Sequence, residues 1–354
     1  MPKPGLHVSL GILACNEERG IAQMLNSLFE QSIFSGDGLQ RLDINRLELI
    51  CVPNGCTDRT AEVASAVFEA RSLTTEIALS VKSCAQAGKS RAWNKFVHEF
   101  SDQRADYLIL LDADIAFASP DVLEKLIQRL QDIPSALVSI DTPLKGVEIR
   151  KARLSMKDRA SLSASKQSPV FNAITGQLYC ARGEELRRIW MPMSLPVEDG
   201  FLAAMIYTDG FTVQERPGAI TRVEEAVHYY DDHEDIAGFL RHESRIVVGS
   251  VINAWIFSLL WTKGPDGHVG RFIMQENMAH PNWLDELIEA EVAKRGIWLI
   301  PSSFVLKRLL ALRELPLITA LKRLPIALVA TALQFIACMQ ANATLKSSRP
   351  SHFW

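Results

Sequence analysis

The first 111 residues alternate strand-like apolar runs with helical patterns, and few folds admit that alternation. The strand-like runs are His7–Ala14, Leu47–Val52, Glu76–Val81 and Tyr107–Leu111, with helical patterns over about Glu17–Gln31, Asp58–Arg71 and Lys89–Phe100. Asn16 before Glu17-Glu18, and the pair Thr57-Asp58, supply helix-start chemistry. The series predicts βαβ units and a parallel sheet flanked by helices. A further helix opens at Ser119-Pro120-Asp121, and a further strand covers Ala136–Ile140. The fourth run carries the sharpest chemical signal: five strand-forming residues stop at Asp112-Ala113-Asp114. A buried parallel strand ending there leaves both acids at its C-terminal edge, where open α/β sheets bind ligands. Two carboxylates one residue apart suit a hard divalent cation that also holds phosphate oxygens. An Asp-rich turn that only caps a helix is the plainer alternative.

The rest of the chain is less regular. Asp141–Ser168 is polar and basic and reads as a helix beside a mobile loop. Phe171–Cys180 reads as a strand interrupted by Gly176, a helix follows Glu198-Asp199, and another covers His233–Val251. The tail changes character. Five basic residues (Lys307, Arg308, Arg313, Lys322, Arg323) lie among apolar ones, and Leu324–Leu345 is uncharged. The purely apolar part, broken at Gln334, falls short of the roughly 20 residues that span a bilayer. Pro316 and Pro325 are expected to divide the tail into short pieces, so a helix lying in the membrane plane fits better than a span. The alternative is a helical cap packed on the catalytic domain. The expected domains are 1–250, with a nucleotide-binding half to about 120 and an acceptor half beyond it, and a helical extension over 251–354.

Composition narrows the function. With 48% hydrophobic residues, 22% charged residues and a net charge of −3, the chain reads as globular, without the broad basic face of a nucleic-acid binder. Its six cysteines show no metal-ligand spacing and read as core residues of a reduced cytosolic protein. Nothing before the first strand reads as a signal peptide.

Three further motifs accompany the Asp pair in a fixed order. Strand one ends in Ala14-Cys15-Asn16-Glu17-Glu18, a turn at a nucleotide-contact position. Strand two ends in Pro53-Asn54-Gly55-Cys56-Thr57-Asp58-Arg59-Thr60. Gly88-Lys89-Ser90-Arg91-Ala92-Trp93-Asn94 then places cations where they can face a diphosphate at a helix start. Each piece alone is ordinary turn or cap chemistry. Together they resemble the family-2 glycosyltransferases of the GT-A fold. The matched patterns are A-x-N-E-E, D-(D/N)-G-(S/C)-T-D-x-T with Pro53 replacing the first acid, G-K-x-x-A-x-N and D-x-D.

The resemblance implies a Rossmann-like, mostly parallel α/β sheet, with a helical C-terminal extension left outside the match. It implies an inverting transfer of a sugar from a nucleoside-diphosphate sugar, assisted by Mg²⁺ or Mn²⁺. Ala14, Asn16, Glu17, Asn54, Lys89 and Asp112 are the expected nucleotide contacts, and Asp112 and Asp114 the expected metal ligands. His228 is a candidate third ligand; a buried, satisfied histidine is the plain alternative. Asn172–Tyr179 fits the family's glycine-containing acceptor strand. Glu198-Asp199 fits its acidic pair, which makes Asp199 the expected general base with Glu198 as fallback. Arg245 aligns with the arginine of a Q-x-x-R-W element whose Gln and Trp are missing, so a processive synthase is not expected. Arg241 and Arg245 also fit a simple helix stripe. The apolar, basic tail adds the expectation of a peripheral enzyme on the cytoplasmic face of a membrane, acting on a lipid or glycan acceptor of cell-envelope synthesis. A soluble acceptor and a sugar-nucleotide nucleotidyltransferase are the alternatives.

Overall fold

The structure, a computed structural model, describes residues 5–71, 73–146, 174–230, 236–264 and 267–347. In chain order the elements are β1 (Leu6–Ala14), α1 (Ile21–Phe29), α2 (Gly36–Arg41), β2 (Ile44–Pro53), α3 (Thr60–Glu69), β3 (Ile77–Val81) and α4 (Lys89–Lys95). Then come β4 (Tyr107–Asp112), β5 (Ile115–Phe117), α5 (Val122–Asp132), β6 (Val138–Lys145), β7 (Leu178–Arg182), α6 (Gly183–Leu186), α7 (Glu198–Tyr207) and β8 (Ile220–Tyr230). The remainder is helical: α8 (Ile236–Leu260), α9 (Val269–Ala279), α10 (Trp283–Arg295), α11 (Ser302–Leu310) and α12 (Leu317–Lys346).

One sheet of eight strands has the order β3-β2-β1-β4-β7-β6-β8-β5. The β3-β2-β1-β4 half is parallel throughout, as the alternation predicts. The other half is mixed: β7 runs antiparallel to β4 and β6, and β5 antiparallel to β8, while β6 and β8 are parallel. Strand β8 has no clear sequence signal, because Arg222, Glu224 and Glu225 interrupt its alternation. The register between β6 and β8 shifts between Ile140 and Thr142, where a bulge turns Asp141 inward.

The chain forms two compact units. The first comprises Met1–Met193, Glu198–Asp232 and Gly264–Met274; the second comprises Ser194–Val197, His233–Lys263 and Gln275–Trp354. The first unit holds the main core, in which Leu10, Ile12, Leu49, Ile109 and Leu111 from the strands meet Leu25, Leu28 and Leu126 from the helices. Burial on both faces of β4 accounts for its unbroken apolar sequence.

In the second unit, α12 packs on α8 and α11. Its inward face is Ala327, Gln334, Cys338, Ala341 and Leu345, a helical spacing. Asn342 clamps the preceding segment, accepting from Leu299 N at 2.7 Å and donating to Ile297 O at 3.1 Å. The tail divides at Pro316 as expected, between Glu314 and Leu317, but not at Pro325. Pro316 precedes the first turn, and α12 runs through Pro325 without ending. A proline removes one backbone donor and crowds the carbonyl four residues earlier, and the packed inward face offsets that local loss. The resulting helix of 30 residues is long and apolar enough, by length and composition, to cross a bilayer, as is α8.

Candidate active site

The register aligns three strand ends. Ala14 lies opposite Pro53, and Leu13 opposite Asp112, so the first, second and fourth motifs reach one edge of the sheet. Asn54 ties the loops together there. Its backbone N and side-chain Nδ2 both donate to Ala14 O, at 2.9 and 2.8 Å, while its Oδ1 accepts from Gly88 N at 3.1 Å. Asn54 is buried, so its amide is spent on the frame of the site. Gly55 next to it has φ of 56° and a position where a Cβ would lie 2.4 Å from that of Ala87, so only glycine fits.

The first turn is held by the second. Asn16 takes a left-handed conformation with φ of 58°, and its Oδ1 accepts from Thr57 N at 2.8 Å. Thr60 Oγ1 accepts from Glu17 N at 2.7 Å, and Asp58 from Glu18 N at 3.0 Å. Asn16 therefore does not cap α1, which begins at Ile21 without a side-chain cap. The motif's polar residues lock two turns together instead.

Lys89 is the centre of the site. Its Nζ lies 2.7 Å from Asp112 Oδ1, 2.9 Å from Glu198 Oε1 and 3.0 Å from Gly176 O. Burial alone would pull the ammonium pKa down, but the two carboxylates overcome that and hold it above its ordinary value. Sequence reading placed Lys89 facing a diphosphate; here it neutralises two acids from different elements. Gly176 has φ of 74°, and a Cβ on it would meet Glu198 Oε1 at 2.9 Å and Asp199 Cβ at 3.3 Å, so glycine is required for the acidic pair to approach. Asn94, the last residue of the third motif, pairs both ways with Met191: Nδ2 to O at 2.8 Å, and N to Oδ1 at 2.9 Å.

Negative charge is left over at the edge. Asp112 is pushed up to about 6 by burial, and Asp114 adds to the rise against the pull of Lys89. Glu17 is raised too, by burial and then by Asp114, Asp58 and Asp112. Asp114 itself is exposed and makes no hydrogen bond or ion pair with a described residue. Among the described residues no three His, Cys, Asp or Glu side chains form a ready metal-ligand set. A Mg²⁺-type ion uses one or two carboxylates and takes its other oxygens from phosphates and water. The Asp114 carboxylate, free among the described residues and beside the already paired Asp112, fits that demand.

Glu198 and Asp199 open α7. Asp199 Oδ1 accepts from Gly200 N at 2.6 Å, and its side chain is less buried than that of Glu198. The two acids therefore differ: Glu198 is committed to Lys89, and Asp199 lines the small cavity beside it.

His228 corrects its sequence reading as a metal ligand. It is fully buried, with Nδ1 on Asp141 and Nε2 3.3 Å from Gln177 Oε1. Both ring nitrogens are engaged, which leaves none directed at a metal. Gln177 O in turn accepts from Asp112 N at 2.9 Å, so the histidine supports the strand end from behind. Sequence reasoning missed Asp141, although an apolar run precedes it just as one precedes Asp112. It also missed Tyr179, whose hydroxyl accepts from Trp93 Nε1 at 2.6 Å in the wall of the site. Arg245 lies on α8, in the second unit. Asn172 and His233 lie outside the described residues.

A mixed α/β sheet whose parallel half gathers turn motifs, a buried lysine and strand-end acids at one edge defines the GT-A class of transferases. The sequence agrees: residues 9–184 match the pattern of glycosyl transferase family 2, and the chain belongs to that family as a glycosyltransferase. No curated protein matches the sequence. Among solved structures, mannosyltransferase PcManGT from Pyrobaculum calidifontis, in complex with GDP-Man and Mn²⁺, is similar with a TM-score of 0.57 at 17% identity, over 98% of this chain and 89% of that one. Glucosyl-3-phosphoglycerate synthase from Mycobacterium tuberculosis, in complex with Mn²⁺, UDP and phosphoglyceric acid, has a TM-score of 0.48 at 21% identity, over 71% and 79% of the two chains.

Proposed function

We propose that the chain moves a sugar from a nucleoside-diphosphate sugar to an acceptor hydroxyl with inversion at the anomeric carbon. The observation that carries this reading is the Asp114 carboxylate at the sheet edge, unpaired among the described residues, next to the Lys89–Asp112–Glu198 cluster. PcManGT, a structure of the same fold, holds GDP-Man and Mn²⁺. The family match disfavours the nucleotidyltransferase alternative.

The residues then divide the work. Asn16, Asn54 and the backbone at Ala14 shape the nucleotide-binding edge; Glu17 and Asp112 border it. Asp114, with Asp112, would hold Mg²⁺ or Mn²⁺, which supplies positive charge to the departing diphosphate. Lys89 keeps Asp112 and Glu198 in place and makes the region less negative. Asp199 accepts the proton of the acceptor hydroxyl as that oxygen attacks the sugar from the side opposite the diphosphate. A single displacement needs no second nucleophilic carboxylate. In this reading residues up to about 120 serve the donor, 121–250 the acceptor, and 251–354 form the extension.

We place the enzyme at the cytoplasmic face of a membrane, with a lipid or glycan acceptor of cell-envelope synthesis. What supports this is the outward face of α12: Leu317, Ile318, Leu321, Ile326 and Val329 are each 60% exposed or more. Of the five basic residues, Lys307 is spent on Glu243 at 2.9 Å, and the others have no ion pair among the described residues and could meet anionic headgroups.

The deciding experiment screens hydrolysis and transfer across sugar nucleotides, with Mn²⁺ or EDTA. We expect one donor to be turned over, loss of turnover in EDTA, and a fall of about 10²–10³-fold in Asp114→Ala with an unchanged melting temperature. Full activity of Asp114→Ala in EDTA sinks the proposal.

A further inference from the structure

A second pocket, of about 190 Å³, lies in the first unit away from the strand-end acids. Its walls come from the residues after β7, from the C-terminal half of α7 and from the start of α9. The β4–β7 register shows where β7 ends relative to the donor edge. Arg182 at the end of β7 lies opposite Tyr107 at the start of β4, whereas Asp112 is the last residue of β4. That is about 17 Å along the strand at 3.3 Å per residue. The pocket shares no lining residue with the cavity beside Asp199, so it is a site separate from that cavity.

The pocket's chemistry is cationic. Three guanidiniums, of Arg188, Arg216 and Arg271, line it against two carboxylates, of Glu185 and Asp209. Arg188 Nη2 and Arg216 Nη1 converge on the same oxygen, Asp209 Oδ1, at 3.2 and 3.0 Å. Arg188 Nη1 also reaches Glu185 Oε2 at 3.2 Å. One carboxylate thus holds two guanidiniums, each with five donors, and leaves most of those donors for another acceptor. Arg271 is exposed and has no carboxylate within ion-pair distance among the described residues. Fixed, planar arginine forks are the protein's best match to phosphate oxygens. The opposite wall is apolar, with Ile189, Met205 and Ile206.

The backbone around the pocket is unusual. Asp209, Gly210 and Phe211 have φ of 48°, 65° and 65°, three left-handed residues in succession, two of them not glycine. Their amides are used internally: Gly210 N donates to Met205 O at 2.8 Å, and Phe211 N to Thr208 Oγ1 at 2.9 Å. Such conformations persist only where surrounding structure imposes them, and they cluster at functional sites. The facing loop is seated closely as well: a Cβ on Gly270 would lie 2.0 Å from Arg188 O.

We infer that this pocket binds a small phosphorylated organic anion, with the phosphate on Arg188, Arg216 and Arg271 and a short carbon body against Ile189, Met205 and Ile206. Its volume is too small for a nucleotide sugar or a lipid. α7 carries Glu198 and Asp199 at its start and Met205 and Ile206 in this pocket, so a ligand here is placed to modulate the transfer site through one helix. The binding claim does not depend on the reaction proposed above.

Isothermal titration calorimetry of the full chain tests it, with glycerol 3-phosphate, inorganic phosphate and glycerol as probes. We expect glycerol 3-phosphate to bind, inorganic phosphate to bind at least tenfold more weakly, and glycerol not to bind. Arg271→Ala, at an exposed position, weakens the phosphate ester at least tenfold and Arg271→Lys restores part of it, while GDP and UDP titrations are unchanged. Asp114→Ala retains full ester binding, which separates this site from the donor site. The inference is overturned by no binding of the ester up to about 10 mM, where affinity falls below the millimolar range. Equal binding by Arg271→Ala, ester displacement by nucleoside diphosphate, or equal affinity for inorganic phosphate overturns it too.

Discussion

Strand β4 and helix α12 are both apolar in sequence, and they meet opposite fates. Residues Tyr107–Leu111 are 5% exposed or less, whereas Ile318, Leu321 and Val329 are 60–70% exposed. In the first unit, β4 finds all its partners within the chain: β1 on one side, β7 on the other, and core side chains from the helices. In the second unit, α12 buries one stripe and leaves the other uncovered by described residues. Apolar sequence therefore says that a surface must be covered; it does not say by what. For β4 the cover is the fold. For α12 no described residue covers the outward face, and the membrane proposed above is the cover that the tests below address.

The comparison can be broken at its functional end first. Asp199→Asn keeps the shape of α7 but removes proton acceptance, so turnover falls by about 10²–10⁴ with donor affinity nearly intact. Steady-state rates beside a donor titration measure this. If Asp199→Asn and Glu198→Gln both keep wild-type rates, the acidic pair is a helix cap and the base lies elsewhere. Next in size is the contrast in burial itself. Leu111→Ala removes a core side chain and costs about 2–5 kcal/mol in denaturant unfolding. Leu321→Ala, on the exposed face, changes stability by only about 0.5 kcal/mol or less. Equal losses at the two positions would mean that α12 is covered after all.

The outward face has its own test. Ile318→Glu, Leu321→Glu and Val329→Glu together place three acids on it. Sedimentation with anionic liposomes should be strong for the wild type in low salt, weaker in high salt, and lost in the triple variant while donor hydrolysis persists. A wild type that ignores liposomes removes the membrane and lipid-acceptor claims together. The smallest effect is a pH response confined to the first unit. His98 stacks on Trp190 at 3.8 Å, with its Nε2 2.8 Å from Ile189 O. Burial pushes its pKa down to about 4, against that hydrogen bond. Because the folded value lies below the unfolded value of about 6.5, the native state binds fewer protons. This contribution is full above about pH 6.5 and lost as pH falls toward 4. The melting temperature should decline across that window, less steeply in His98→Phe, and equal slopes would assign the decline to other groups.

Much of the site is legible in sequence because local chemistry dictates it. An apolar strand that stops at two acids, a turn of Asn and Gly, and a glycine-lysine helix start all fall at one sheet edge once the strands run parallel. The limits of the reading have equally local causes. Asn16 has the chemistry of a cap, yet its oxygen is claimed by Thr57, a residue 41 positions away. His228 has the chemistry of a ligand, yet a bulge on β6 delivers Asp141 to it. β8 is invisible to an alternation test because charged residues interrupt it, and β6 and β5 recruit it regardless.

The sequence by itself determined the parallel half of the sheet, its order of motifs and the chemistry at the strand ends, since hydrophobic period and turn residues act over a few neighbours. Only the tertiary structure decided how that chemistry is deployed. Lys89 belongs to Asp112 and Glu198 because α4, β4 and α7 converge. Gly176 is indispensable because two acids crowd it. A proline that breaks helices in isolation sits inside α12, because packing along the inward face outweighs the lost backbone bond. Partners of these kinds lie tens to hundreds of residues apart, and only folding brings them within hydrogen-bond reach.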